Sequence, residues 1–331
     1  MHGNERAVGN NAVLLTNITK YSIIIYILYK YKGRIIMEKQ IYGLSVGTDA
    51  NGVGYVEISG VPYFSAAQTF DCGQCFRFEE KNGGIEGVAF GKLLRIEQSG
   101  DTVRLTGINE KEYNETFMRY LGLGEDYGAI RNDIGERMGV YGDVIYKAME
   151  CASGIRILSQ DPWEAVASFI VSQNNNIPRI KKIIENMCAG IGEAFTGFDG
   201  RTYYAFPTAE AVLRAGEEGL APFKMGFRAR YMVDAAKKYL SGEVDFAKVT
   251  ESDADTAQKM LMSICGVGPK VASCALLFGF HKLEFFPIDV WIKRVLAKYY
   301  PDGIDVSALG PYAGVAQQYL FYYERYMGGE Q

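Results

Sequence analysis

Histidine is the scarcest chemistry-bearing residue in this sequence, with two among 331 residues. His2 lies in an N-terminal tail, so His281 stands alone in the body of the chain. That argues against a Ser-His-Asp triad and against a multi-histidine metal site. Acid-base or nucleophilic work is left to Lys, Asp, Glu, Cys or Tyr. Long apolar runs are missing too. The longest, Ile23 to Leu28, is far short of the ~20 residues of a membrane helix, and no small-residue cleavage site follows it, so neither a membrane span nor a signal peptide is expected. An excess of basic residues is also lacking. The net charge is −4. Residues 1–36 carry five basic residues against one acid, and the remainder holds 30 basic and 38 acidic, a net −8. Bulk charge therefore does not advertise a nucleic-acid binder, although a local patch can exist inside an acidic whole. The six cysteines (72, 75, 151, 188, 265 and 274) include one Cys-x-x-Cys with no second pair. That does not make a zinc ribbon and reads as reduced thiols of a cytosolic compartment.

What is present is an ordinary folded composition, 48% hydrophobic and 22% charged, which excludes disorder, collagen and coiled coil. Met37 opens an ordinary-looking start, MEKQIYGL. Residues 1–36 are accordingly expected to be a non-native or disordered extension. From about Tyr63 to Ile108, apolar residues recur at i and i+2 in Phe76–Phe78, Val88–Phe90, Leu94–Ile96 and Val103–Leu105. Turns are expected at Gly83-Gly84 and Ser99–Asp101, giving a small antiparallel sheet with one buried face. After about Lys111 the period becomes helical, with N-caps at Asp161 and Thr208. The expected architecture is α+β: an N-terminal antiparallel β-sheet domain over 37–150, then a larger all-helical body over 151–331.

The stretch LMSICGVGPKVASC (261–274) carries the most information. An amphipathic helix must end before Cys265-Gly-Val-Gly-Pro269, and Pro269 suits the first position of a second helix. The glycines, Gly266 and Gly268, permit positive φ and a close backbone approach. Free N–H groups at the second helix start attract an anion. A hairpin of this kind over 261–279 clamps phosphate without reading bases; the plain alternative is a helix-helix turn. Lys270 opens the second helix, whose positive end disfavours an ammonium, and an uncharged amine is what nucleophilic attack needs. The plain alternative is a solvated surface lysine. Cys274 follows one turn along the same face. Asp289, nineteen residues beyond Lys270 and inside the apolar run FFPIDVW, either caps a helix or stabilises positive charge developing on a sugar.

These residues resemble the helix-hairpin-helix DNA glycosylases, and within them the 8-oxoguanine DNA glycosylase/AP lyases of the eukaryotic-type branch in their bacterial form. The likeness covers roughly residues 41–327. It rests on FDCGQCFRF (70–78), SFIVSQNNNIPRI (168–180), KMGFRARY (224–231), GVGPKVASC (266–274), PIDVW (287–291) and YAGVAQQYLF (312–321) occurring in order. The resemblance implies that Lys270 forms a Schiff base with the sugar and that Asp289 stabilises the oxocarbenium-like charge. Gly73 would offer its carbonyl to the N7 hydrogen of 8-oxoguanine. Cys274 and Phe321 would sandwich the base, with Gln317 on its Watson–Crick edge. Asn174 would fill the gap in the stack, Arg179 and Arg228 would read the orphaned cytosine, and Phe227 would wedge beside it. Gly266 and Gly268 would meet phosphate. Trp291 stands where eukaryotic members usually carry histidine, and Phe227 replaces a tyrosine.

The implied partner is damaged double-stranded DNA, engaged by a monomer in the cytoplasm at the nucleoid, with no membrane involved. No cofactor is required by this reading. The resemblance does imply a monovalent cation at hairpin carbonyls around residues 262–267. An iron–sulfur cluster has no cysteines beyond Cys274 to hold it. Two rival readings are an alkylpurine glycosylase, which Lys270 argues against, and a non-catalytic hairpin module, which would leave Gly73, Cys274, Gln317 and Phe321 without purpose.

Overall fold

A computed structural model gives the backbone of residues 4–8, 12–19, 22–31 and 34–328, and the side chains of residues 42–328. Among these, nine strands form one antiparallel sheet: β1 Asn4–Val8, β2 Ala12–Thr19, β3 Ser22–Tyr31, β4 Arg34–Thr48, β5 Gly54–Ser59, β6 Phe78–Lys81, β7 Gly84–Ala89, β8 Lys92–Ser99 and β9 Thr102–Thr106. Their spatial order is β1-β2-β3-β4-β5-β9-β8-β7-β6. Of the extension expected over residues 1–36, positions 1–3, 9–11, 20, 21, 32 and 33 lie outside the described residues. The rest runs as β1 to β3 and the first residues of β4, each strand antiparallel to the next.

The period-2 pattern has its expected consequence in β5, β8 and β9. Val56 pairs with Leu105 and Ile58 with Val103, and all four are buried with Leu94 and Ile96 on one face. The residues between them point outward, where Glu57 lies opposite Arg104 and the two pair at 2.9 Å. The turn expected at Gly83-Gly84 sits one residue earlier. Asn82 and Gly83 have φ of 50° and 75°, while Gly84 already pairs with Lys81. Asn-Gly is the pair that a two-residue hairpin turn prefers.

The α-helices of six or more residues are α1 Ala66–Asp71, α2 Tyr127–Met138, α3 Val144–Cys151, α4 Pro162–Ser172, α5 Ile177–Ile191, α6 Ala209–Leu220, α7 Arg228–Leu240, α8 Phe246–Glu251, α9 Ala254–Met262, α10 Pro269–Phe278, α11 Val290–Tyr299 and α12 Ala313–Met327. Asp161 and Thr208 cap α4 and α6 by accepting the N–H of Glu164 and Ala211. The helical pattern that begins after about Lys111 opens on a composite element, with π-helical Tyr113–Phe117 between two short α turns. The wider π turn seats Tyr113, Phe117 and Tyr120 together in the core under the sheet. The body expected to be all helical also carries a two-stranded hairpin, Ala194–Thr196 with Thr202–Tyr204. Among the described residues no helix is long and apolar enough to cross a membrane.

One side chain ties the sheet domain to the helical body. Arg156 is fully buried. Its guanidinium donates to the carbonyls of Pro62 (2.7 Å), Tyr63 (3.2 Å), Gly122 (2.6 Å) and Glu125 (3.1 Å) and lies over the Tyr127 ring. No carboxylate pairs with it among the described residues. Carbonyl dipoles and an aromatic face disperse the charge instead, which a delocalised guanidinium tolerates better than an ammonium does.

Candidate active site and nucleic-acid interface

The hairpin is built as α9, a turn, and α10. Gly266 has φ of +73°, and a Cβ there would stand 2.3 Å from the Tyr231 ring, so glycine is required on both conformational and steric grounds. Gly268 is different. Its backbone is extended (φ −94°, ψ −179°) and it is the N-cap of α10 without any capping side chain. The positive φ that glycine permits is therefore used at Gly266 alone. At Gly268 a Cβ would meet nothing within 4 Å. The uncapped first turn of α10 leaves its amides open, the condition for holding an anion.

The turn is braced from α7. Asp234 accepts the Cys265 N–H at 2.6 Å, Lys238 donates to the Ser263 carbonyl, and the two side chains pair at 3.5 Å. Sequence reading missed this brace, for which the only signal is an Asp-Lys pair at i and i+4 on one helix. It also bears on the monovalent cation expected here. The Ser263 carbonyl already holds the Lys238 ammonium, and the Ile264 carbonyl accepts the Val267 N–H at 3.0 Å. Of the carbonyls expected to face such a cation, that of Ser263 already holds a protein cation.

Lys270 is half-buried at the start of α10, its ammonium 5.8 Å from the centre of the Phe169 ring. Cys274 is buried one turn on. Burial pushes its thiol pKa up; the Lys270 charge and hydrogen bond oppose that, and Asp289 reinforces it. Lys270 and Asp289 thus both lie within electrostatic reach of Cys274. Asp289 is the N-cap of α11, accepting the Ile292 N–H at 2.8 Å through Oδ1. Its other oxygen has no hydrogen-bond partner among the described residues, so capping and charge stabilisation are compatible.

The residues expected to hold a base come from distant segments. Gly73 has φ of +76°, and a Cβ on it would lie 3.5 Å from Phe321 and 3.7 Å from Ile177. Ile177 therefore packs against the Gly73 loop beside Phe321, a contact that the sequence did not signal. The loop carrying Gly73 is pinned by Gln74, fully buried, which donates to the Thr69 and Arg156 carbonyls and accepts the Leu158 N–H, each at 2.8 Å. From α12, Gln318 reaches the Cys72 carbonyl at 3.4 Å. Gln317 and Phe321, i and i+4 on that helix, are both buried. The Gln317 Oε1 has no hydrogen-bond partner, which is costly for a buried acceptor unless a ligand supplies the donor. Trp291, half-buried on α11, meets Phe321 edge-on with centroids 6.3 Å apart.

The third group lies at the loop between α4 and α5. Asn174 is exposed and left-handed, with φ of +45°, a conformation asparagine tolerates better than most residues. Arg228 holds it there. Its Nε donates to the Gln173 carbonyl at 2.9 Å, its Nη2 to the Asn174 carbonyl at 3.0 Å and its Nη1 to the Met225 carbonyl at 3.1 Å. Arg228 was expected to face the orphaned cytosine. Here it is 3% exposed and most of its donors are occupied by backbone. Burial, with Arg179 nearby, lowers its pKa. Arg179 is exposed, and Phe227, 48% exposed, lies against the Arg228 guanidinium at 4.5 Å. Exposed polar and aromatic groups over a buried cation make a surface suited to a disrupted duplex.

Two family models match in series. Residues 59–166 match the N-terminal domain of 8-oxoguanine DNA glycosylase, and residues 167–303 match the HhH-GPD superfamily of base excision DNA repair proteins. A Saccharomyces cerevisiae N-glycosylase/DNA lyase is 38% identical over 159 residues, 44% of this chain and 42% of that protein; the match thus spans less than half of the yeast relative. Across whole solved chains the likeness is broader. The structure of MBOgg1 in complex with a low affinity DNA ligand is 38% identical with a TM-score of 0.79, covering 86% of this chain and 99% of that one. The Clostridium acetobutylicum 8-oxoguanine glycosylase/lyase, bound to double-stranded DNA with cytosine opposite 8-oxoG, is 34% identical with a TM-score of 0.77, covering 85% and 97%. With both domains matched in order and more than a third of positions shared along entire solved chains, this protein belongs to the 8-oxoguanine DNA glycosylases of the HhH-GPD superfamily.

Proposed function

We propose that this chain is a bifunctional DNA glycosylase and lyase that removes 8-oxoguanine opposite cytosine and then nicks the abasic strand. The observation that carries the reading is Lys270. It opens α10 at the uncapped end of the hairpin beside buried Cys274, which also lies within electrostatic reach of Asp289. The activities borne by the similar yeast and clostridial proteins agree with that chemistry.

Amides at the start of α10 hold the phosphate backbone, and the damaged nucleotide turns out of the duplex into the pocket. The Gly73 carbonyl accepts the N7 hydrogen, which guanine lacks. Gln317 meets the Watson–Crick edge, giving its unpaired Oε1 a donor, and the base lies between Cys274 and Phe321. The Lys270 nitrogen bonds to C1′ as the bond to the base breaks, and Asp289 stabilises the positive charge on the sugar. Opening of the ring gives an imine. Loss of a C2′ proton then breaks the C3′–O bond, cutting the strand 3′ to the lesion. This route uses no bound cofactor. Asn174 fills the vacated stack, and Arg179 with Phe227 face the unpaired cytosine while Arg228 holds the loop. The enzyme acts as a monomer on nucleoid DNA in the cytoplasm.

The deciding experiment is borohydride trapping on an 8-oxoguanine:cytosine duplex. Wild type forms a covalent adduct, and Lys270→Gln binds the duplex without forming one. An adduct that persists in Lys270→Gln rejects the nucleophile assigned here.

A further inference from the structure

The N-terminal half of α11 carries a second arginine beside the pocket that the mechanism above does not use. Arg294 lies one turn beyond Trp291, its guanidinium 4.8 Å from the centre of the indole ring. Trp291 in turn meets Phe321 edge-on. The three groups form a row running outward from the base pocket: Phe321, Trp291, Arg294. Arg294 is exposed and pairs with no carboxylate among the described residues. The next basic residue on this helix face behaves differently. Lys298 is tied to Glu324 at 3.6 Å and to the Gly328 carbonyl at 3.1 Å.

Stacking on an indole fixes the plane of a guanidinium through its face and leaves the N–H donors around its edge free. Those edge donors match two oxygens of a phosphate. The position is also appropriate. Asp289 caps the same helix five residues earlier, about 7.5 Å back along the axis. A sugar held at Lys270 and Asp289 with its base against Phe321 must carry its own phosphates past the Trp291 side of the pocket. Asp289 repels those phosphates, and a cation a short way down the helix offsets that repulsion.

We infer that Arg294, seated on Trp291, binds a backbone phosphate of the flipped nucleotide. This rests on the glycosylase reading and adds to it a phosphate subsite separate from the hairpin amides. As a positioning residue, Arg294 acts on affinity and its salt dependence rather than on bond breaking.

The test measures binding to a duplex with a tetrahydrofuran abasic analogue opposite cytosine, in 50 to 200 mM salt. Each phosphate contact contributes about 0.9 to the slope of log affinity against log salt. Arg294→Ala is expected to flatten the slope by about 0.9, so that wild type loses about 3.5-fold more affinity than the variant over that range. Arg294→Lys keeps the slope but binds more weakly, because it retains charge without the planar fork. Lys111→Ala, a change at an exposed side chain of the sheet domain, leaves the slope unchanged. An Arg294→Ala slope equal to wild type overturns the assignment. So does an Arg294→Ala protein that is folded and saturated with an 8-oxoguanine duplex yet cannot be trapped by borohydride, since that places Arg294 in the chemistry. Failure of wild type itself to trap rejects the Schiff-base glycosylase/lyase reading instead, whatever the slope.

Discussion

Replacing Gly266 with alanine tests the hairpin from two directions at once. The backbone there has φ of +73°, and the new methyl would lie 2.3–2.4 Å from three atoms of the Tyr231 ring. A left-handed non-glycine residue costs about 1–2 kcal/mol, and forcing extra volume into a packed contact costs about 1–3 kcal/mol more. The ring has little freedom to yield, because Tyr231 packs edge-on against Phe227 at 5.6 Å and its hydroxyl accepts from Arg230. The expected loss of stability is therefore about 2–5 kcal/mol, accompanied by weaker binding to duplex DNA. Urea unfolding of wild type, Gly266→Ala, Tyr231→Ala and the double variant separates the terms. Removing the ring abolishes the overlap and leaves the backbone strain, so the double variant should be more stable than the sum of the singles predicts by about 1–3 kcal/mol. Additivity of the two changes, or a Gly266→Ala protein as stable as wild type, refutes the claim that this turn is closed by contact with α7.

Two other consequences can be measured directly. Gln317→Ala removes the buried amide meant for the base edge and should lower single-turnover excision of 8-oxoguanine, measured with enzyme in excess of substrate but below saturation, by an amount equivalent to about 1–3 kcal/mol, with the melting temperature nearly preserved; excision equal to wild type removes Gln317 from the pocket. Burial lifts the Glu164 carboxyl to about 7, opposed by Arg77 at 3.8 Å and reinforced by Asp161. An unfolded glutamate titrates near 4.3, so between about pH 4.3 and 7 the folded protein holds the extra proton, and stability falls as pH rises through that window. Relative to Glu164→Gln, wild type should lose stability between pH 5 and pH 8 in urea unfolding, and a constant difference between the two proteins contradicts the assignment.

The hairpin, the pocket helix and the one-faced sheet were legible in the sequence because each is written in local signals. Gly-x-Gly-Pro breaks one helix and starts another, Gln317 and Phe321 are one turn apart, and Val103 and Leu105 alternate with outward residues. The features that were not legible depend on contacts between segments far apart in the chain. Arg228 looked like a surface reader because nothing near it in sequence shows that the carbonyls of Gln173 and Asn174, some fifty-five residues away, close over it. Ile177 follows an asparagine run and reads as a first helical residue. Only the fold brings its methyl group beside Gly73. The brace from Asp234 and Lys238 looks like a solvated ion pair until Cys265 and Ser263 are placed beneath it. The hairpin at Ala194–Thr196 and Thr202–Tyr204 is too short for periodicity to register.

Arg156 bears on how this molecule can be taken apart. Its four carbonyl partners come from residues 62–63 and 122–125, on the far side of any division near residue 150. A fragment ending there keeps the oxygens and loses the cation that satisfies them, while the complementary fragment exposes a charge whose whole setting has gone. Neither piece is a self-sufficient unit, and shuffling the front of one such enzyme onto the back of another succeeds only where this mortise is cut to the same shape on both sides.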